Sequence, residues 1–332
     1  HQDLSYRLDD EGRRQPLRTP ADWEARLRHV RAHFERVAGP WPGEARRCPL
    51  EVRIEEEVRS EKWTRRKLSF QSEPGVRVPA YLFLPARRRG SRPAVLCLHQ
   101  TVREGKAEPA GLAGSPNMAY ARELAERGYV TLAPDYASLG EYPWTLGPTS
   151  GFASGTMKGI WDHHRAVDLL AGLPEVDPAR IGCLGHSLGG HNALFLGLYE
   201  PRLRAFVSSC GFSRFHKDDV PSWTGPRYLP RLASLFGNDA NRVPFDFTEL
   251  VAALAPRPFL ACAATEDNDF DVSGVRDVLA AARSVYRLYG AENGLRAYYP
   301  TSKHDFPAEA RREAYRFLDR FLKNARPTAG GS

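Results

Sequence analysis

The decapeptide Ile181-Gly182-Cys183-Leu184-Gly185-His186-Ser187-Leu188-Gly189-Gly190 passes from a short apolar run through a glycine-rich turn into a second apolar segment. Ile181 to Leu184 predicts a strand and Leu188 to Leu198 a helix, so Ser187 falls on a sharp strand-to-helix turn. Gly185 and Gly189 stand two residues either side of it, in the pattern G-x-S-x-G. A side chain at either position would collide with the neighbouring strand or helix. Such a turn lifts the serine hydroxyl above the sheet, at the positive end of the helix. Ser187 is therefore the candidate nucleophile.

A serine hydroxyl is weakly nucleophilic at neutral pH and needs a base, which in turn needs an orienting acid. Among ten histidines, His304 alone follows the last predicted strand, in Tyr299-Pro300-Thr301-Ser302-Lys303-His304-Asp305-Phe306, on a loop at the carboxyl edge of the sheet. His186 is the variable residue of the turn, His191 lies one turn into a helix, and His163 and His164 sit mid-helix, so these read as structural. The acid is sought after the strand Phe259 to Ala264, where Thr265-Glu266-Asp267-Asn268-Asp269-Phe270-Asp271 holds four carboxylates. A strand end followed by two residues and then Asp selects Asp267, with Asp271 and then Asp269 as alternatives. An oxyanion hole needs two N–H groups. The Leu188 amide supplies one, and the loop His99-Gln100-Thr101 supplies the other, for which Thr101 is the candidate.

Outward from this centre the chain alternates strand and helix: strands near 94–99, 129–133, 181–184, 205–210, 259–264 and 295–299, and helices near 118–127, 158–171, 188–198, 275–289 and 308–322. That alternation predicts an α/β fold, a mostly parallel sheet with helices on both faces, because each parallel connection must cross over. Before it, Trp23, Leu27, Val30, Phe34 and Val37 predict an amphipathic helix over 20–38, started by Thr19 and stopped by Gly39-Pro40. Residues 52–85 predict antiparallel strands with a turn at Glu73-Pro74-Gly75. Residues 211–257 interrupt the rhythm with Trp223, Tyr228, Phe236, Phe245 and Phe247 but no strong strand, and read as an inserted lid. Trp223 and Tyr228, flanking the bend Gly225-Pro226, are the candidates to reach substrate. The expected organisation is an N-terminal helical extension (1–50), the α/β domain (51–326) with its lid, and a disordered tail (327–332).

Composition narrows the function. With 332 residues, 42% of them hydrophobic and 26% charged, the chain suits a globular enzyme. No stretch approaches the ~20 apolar residues of a membrane-spanning helix, so no membrane partner is expected. The net charge is +7, of which +6 falls in residues 1–90. Arg87-Arg88-Arg89 is short and lacks interleaved aromatics, so nucleic acid is not an expected partner. Cys48, Cys97, Cys183, Cys210 and Cys262 form no C-x-x-C pair, and four lie in apolar runs; they read as buried thiols, with no metal expected. A start at His1 without Met is read as an upstream segment removed. Neither compartment nor oligomeric state is legible.

These residues resemble the α/β-hydrolase superfamily, and more narrowly its dienelactone-hydrolase-like and acetyl-xylan-esterase-like members. The resemblance runs from about Val52 to Leu322. It rests on Leu98-His99-Gln100-Thr101, Ala133-Pro134-Asp135-Tyr136, the Gly-His-Ser-Leu-Gly-Gly turn, Ala255-Pro256-Arg257-Pro258 and Lys303-His304-Asp305-Phe306. Dienelactone hydrolases carry cysteine where Ser187 stands, a departure that favours ester hydrolysis over lactone opening. The resemblance implies a serine esterase without a cofactor, acting on small-molecule or carbohydrate esters. Two alternatives are a peptidase of the prolyl-oligopeptidase type, whose usual propeller the residues before Pro93 cannot supply, and an inactive binding protein on the same fold.

Overall fold

The computed structural model describes residues 1–86 and 90–324; the arginine run 87–89 and the expected tail 327–332 lie outside them. A two-stranded ribbon, β1 (Tyr6–Leu8) and β2 (Arg14–Pro16), precedes helix α1 (Pro20–Ala38). α1 begins where sequence capping rules put it: the Thr19 hydroxyl accepts from the Asp22 amide, the Asp22 carboxylate accepts from the Thr19 amide, and Pro20 fills the first turn. Its apolar stripe is not a separate unit. Phe34 packs 5.0 Å from Phe195 and 5.2 Å from Phe245 within the main core.

Three antiparallel strands follow, β3 (Arg53–Arg59), β4 (Trp63–Glu73) and β5 (Val76–Pro85), the last two joined at Pro74-Gly75, where Gly75 has φ +78°. The alternating part runs β6 (Arg92–Leu98), α2 (Tyr120–Glu126), β7 (Val130–Pro134), α3 (Gly155–Gly172), β8 (Val176–His186), α4 (Leu188–Gly197) and β9 (Leu203–Ser209). It continues through α5 (Arg231–Phe236), α6 (Phe247–Ala252), β10 (Phe259–Cys262), α7 (Val272–Leu288), β11 (Leu295–Tyr298) and α8 (Ala308–Leu318). α8 is shorter than its sequence pattern. It passes into a π-helical turn over Asp319–Lys323, where the Asp319 carboxylate accepts the Tyr129 hydroxyl at 2.9 Å.

The nine-stranded sheet has the order β11-β10-β9-β8-β6-β7-β5-β4-β3. Strands β6 to β11 are mutually parallel, and β5, β4 and β3 extend the sheet antiparallel. Helices cover both faces. One core joins α1, α3, α4, α6 and α7 to the sheet; the other joins α2 and α8. β6 lies between β7 and β8, so the crossover direction reverses there, and such a point leaves a crevice beyond the carboxyl ends of the strands.

Residues 211–257 fold as short helices and 3₁₀ turns. Phe236, Phe245, Phe247 and Trp223 are buried in the main core, and Trp223 and Tyr228 also line a cavity. The segment is fastened to the domain by Gly155 N–H to Pro226 O at 3.0 Å and by the Tyr136 hydroxyl to Arg227 O at 2.7 Å. All five thiols are free, with Cys48 alone partly exposed. Among the described residues no helix is long and apolar enough to cross a membrane.

Candidate active site

Ser187 sits between β8 and α4 with φ +51° and ψ −119°, a conformation that costs a non-glycine residue of order 1–3 kcal/mol. The surroundings over-determine it. A Cβ on Gly185 would lie 2.2 Å from the Gly189 carbonyl carbon, and one on Gly189 would lie 2.0 Å from Leu98 O. The Ser187 amide is tied to Ser209 O at 2.9 Å, and its carbonyl accepts from the Gly190 amide at 2.8 Å. Turn, β9 and the end of β6 therefore hold the serine in one orientation.

His304, on the loop between β11 and α8, presents Nδ1 to Asp267 Oδ1 at 3.0 Å and to Oδ2 at 3.1 Å. Asp267 is itself fixed, since Oδ1 also accepts the Asp269 amide at 2.8 Å and the Phe270 amide at 3.2 Å. With Nδ1–H committed to the carboxylate, Nε2 is left as the basic nitrogen. Burial opposes charge on the ring, but the Asp267 hydrogen bond and charge outweigh it, aided by Asp269 and Asp305, and His304 lies above the usual histidine value. For Asp267, burial is likewise outweighed by His304, and the acid lies below its ordinary range. Of the other acids, Asp269 Oδ2 is 3.6 Å from His304 Nδ1 on an exposed side chain. Asp271 instead caps α7 by accepting the Ser273 amide at 2.7 Å.

Ser187, Leu188, His304, Thr101, Trp223 and Tyr228 all line one cavity of about 460 Å³. Leu188 is the first residue of α4, so its amide has no acceptor within the helix. The His99 ring orients the facing loop. Its Nε2 accepts the Tyr136 amide at 2.9 Å and its Nδ1 donates to Gln100 O at 2.6 Å. In a trans peptide the Thr101 N–H points away from that carbonyl. The Thr101 hydroxyl and the Tyr228 hydroxyl are 2.8 Å apart, which closes the cavity wall on that side.

Further lining residues were not singled out as binding residues from sequence, among them His191, Asp218 and Asp219. His191 follows Ser187 by one helical turn, and that spacing was the available signal, since i and i+4 share a helix face. Asp218 and Asp219 lie in an insertion without periodicity, where no pattern marks a facing direction. Among the described residues, Cys210, Asp267 and His304 bring donor atoms within 4.8 Å of one another, but His304 and Asp267 are already hydrogen-bonded to each other. Burial also pushes the Cys210 thiol up to about 12, which opposes the thiolate a metal would require.

Comparison with known proteins places this geometry in a family. The model of the prolyl oligopeptidase family matches residues 117–326, and a model of an abhydrolase family matches residues 15–148. A Bacillus subtilis (strain 168) relative named as a hydrolase, YtaP, is 28% identical over 74% of this chain and 84% of its own. The 4-O-methyl-glucuronoyl methylesterase 1 of Wolfiporia cocos is 28% identical over 52% of this chain, which spans only 48% of that relative. In structure, the glucuronoyl esterase from Solibacter usitatus superposes with a TM-score of 0.77 at 20% identity, covering 94% of this chain and 96% of that one. Acetyl xylan esterase 1 from Thermoanaerobacterium sp. JW/SL YS485 gives a TM-score of 0.54 at 17% identity over 90% and 93%. With its G-x-S-x-G turn, its sheet order and a family model spanning well over half its length, the chain belongs to the prolyl oligopeptidase family of α/β-hydrolases.

Proposed function

We propose that this chain is a carboxylic ester hydrolase that works by acyl transfer through Ser187, His304 and Asp267. The observation that carries the reading is a strained serine and a carboxylate-bound imidazole lining the same cavity. In the mechanism, His304 Nε2 takes the Ser187 proton as Oγ attacks the ester carbonyl, and the Leu188 and Thr101 amides receive the developing oxyanion. The imidazolium formed is stabilised by Asp267 and returns its proton to the leaving alcohol. Water then enters with the same base and releases the acid. Nucleophile, base and oxyanion donors all come from side chains and backbone, so the chemistry calls for no cofactor.

Short acyl or carbohydrate esters are the proposed substrates. A cavity of about 460 Å³ suits a small ester, and relatives and neighbours carry the names of glucuronoyl and acetyl xylan esterases. Peptide hydrolysis is the second reading, favoured by the family's name. The discriminating test is a panel of acetylated xylan, a glucuronoyl methyl ester, 4-nitrophenyl esters of graded chain length and aminoacyl anilides. Ester turnover that falls by roughly four orders of magnitude or more in Ser187→Ala supports the reading. Turnover confined to the anilides would replace it with the peptidase reading.

A further inference from the structure

The cavity beside Ser187 carries three carboxylates among its lining side chains. Asp218, Asp219 and Asp269 line it, and no Lys or Arg does among the described residues. Asp269 lies 3.6 Å from His304 Nδ1, and burial pushes Asp218 up to about 6, so that it is ionised above that value. Neither Asp218 nor Asp219 is within salt-bridge distance of a cation among the described residues, and Lys217, the adjacent base, is drawn away to Asp277 at 2.7 Å. Asp218 is held in place, with its carboxylate accepting the Trp223 indole N–H at 3.1 Å and the Asp219 amide at 2.8 Å.

A second, independent feature lies at the floor. His191 is only 4% exposed and lines the same cavity. Its Nδ1 faces Gly211 O at 3.2 Å, which requires the proton there and makes Nε2 an acceptor. That Nε2 is buried and has no partner among the described residues. Burial pushes His191 down to about 3, so the ring stays neutral and cannot become a donor there. A buried acceptor without a donor is costly, and a donor on a ligand would satisfy it. The Trp223 ring, 4.7 Å from the His191 ring, adds an aromatic wall of the kind that packs against the apolar face of a sugar or an ammonium group.

We propose that this cavity recognises the part of its ester that donates hydrogen bonds, a polyol or an ammonium group, and rejects esters carrying an anion near the scissile bond. The proposal rests on the reading of this cavity as the ester site. Asp218, Asp219 and Asp269 set the charge preference from the mouth, and His191 Nε2 accepts one hydroxyl or ammonium proton from within. The same carboxylates repel the acid product and so assist its departure.

The test uses acetate esters matched in size: acetylcholine, its neutral isostere 3,3-dimethylbutyl acetate, and 3-sulfopropyl acetate. At low salt, kcat/KM is expected to fall in that order, with the first exceeding the last by roughly 30-fold, the order that three carboxylates within a Debye length produce. Added salt, and Asp218→Asn with Asp219→Asn, should compress the ratio to about threefold. A polyol arm compares methyl 6-O-acetyl-glucoside with cyclohexylmethyl acetate, and His191→Phe should lower the ratio of their kcat/KM values about tenfold. Equal turnover of the cationic and anionic esters by the wild-type protein, or a ratio untouched by salt, overturns the charge assignment. If no ester is turned over at all, the function is wrong but the site is still read by saturation-transfer NMR on the intact protein. Choline is then expected to bind and 3-hydroxypropanesulfonate not to; the reverse, or no difference, overturns the proposal.

Discussion

Gly189→Ala is the perturbation whose outcome follows most directly from the coordinates. The added Cβ would lie 2.0 Å from Leu98 O and 2.5 Å from Leu98 C, both backbone atoms that cannot rotate away. Real Cβ contacts start near 3.0 Å, so β6 and the nucleophile turn must separate by roughly 1 Å. Overpacking of a tight core costs about 1–3 kcal/mol and sometimes more, and a backbone clash on this scale belongs at the upper end. For 332 residues at ~2.1 cal/mol/K each, the unfolding entropy is about 0.7 kcal/mol/K, so ~3 kcal/mol lowers Tm by roughly 4 °C. A 1 Å shift of the nucleophile relative to the oxyanion loop should cost about 100-fold in kcat. Gly172→Ala serves as the control, since nothing lies within 4 Å of its Cβ position and its φ is not positive. At the end of α3, it should leave kcat unchanged and hold or slightly raise Tm. Scanning calorimetry and initial rates on one short-chain ester read both variants. A Gly189→Ala protein as stable and as active as Gly172→Ala would refute the argument that close backbone approach sets the serine.

Four other outcomes are expected. The acid limb of kcat/KM should fall above the usual histidine value near 6.5, because His304 must be neutral to act as base and its ring is raised. Asp267→Asn should lower kcat by about 10⁴ and move that limb downward, whereas Asp271→Asn should cost no more than the ~1 kcal/mol of a weakened helix cap. Lys158→Met should lower stability by about 3–5 kcal/mol in denaturant unfolding, since the wholly buried ammonium lies 2.5 Å from Asp162 and 3.0 Å from Glu73, and its loss leaves buried Asp162 without a cation while Glu73 keeps Arg46 at 2.6 Å. Tyr228→Phe should change the chain-length profile at nearly constant Tm by releasing the hydroxyl from Thr101, while Trp223→Ala, removing a buried ring, should lower Tm as well.

The parts of the molecule that sequence displays are those governed by local rules. Thr19 and Gly39 bound α1 because capping and a left-handed glycine are local requirements, and the helix ends where those residues stand. The G-x-S-x-G turn was legible because its glycines answer to contacts of a few ångströms that the pattern itself implies. β8 begins at Val176, earlier than Ile181, because Asp177-Pro178-Ala179-Arg180 has no apolar alternation, and its pairing of Val176 with Arg92 lies beyond a register shift. The choice among Asp267, Asp269 and Asp271 depended on where a loop turns, and the bonds that hold Asp267 against His304, with amides from Asp269 and Phe270, are made in three dimensions and leave no spacing to read. His191 looked like helix packing because α4 is apolar and buried along its whole length, and only the fold of residues 211–257 near that helix makes His191 a cavity wall. The insertion's aromatics divide between core and cavity for the same reason: without periodicity, facing direction is set by tertiary contacts alone.

The central claim is that Ser187 is a nucleophile activated by its surroundings rather than a buried turn residue. A fluorophosphonate reports this in one measurement, since it phosphonylates a serine only where a base and an oxyanion site assist attack. Incubation with the reagent followed by intact mass and peptide mapping should show one adduct per chain, on the peptide containing Ser187, and none in Ser187→Ala. An unmodified Ser187 in the folded protein, or labelling that persists undiminished in Ser187→Ala, would contradict the account.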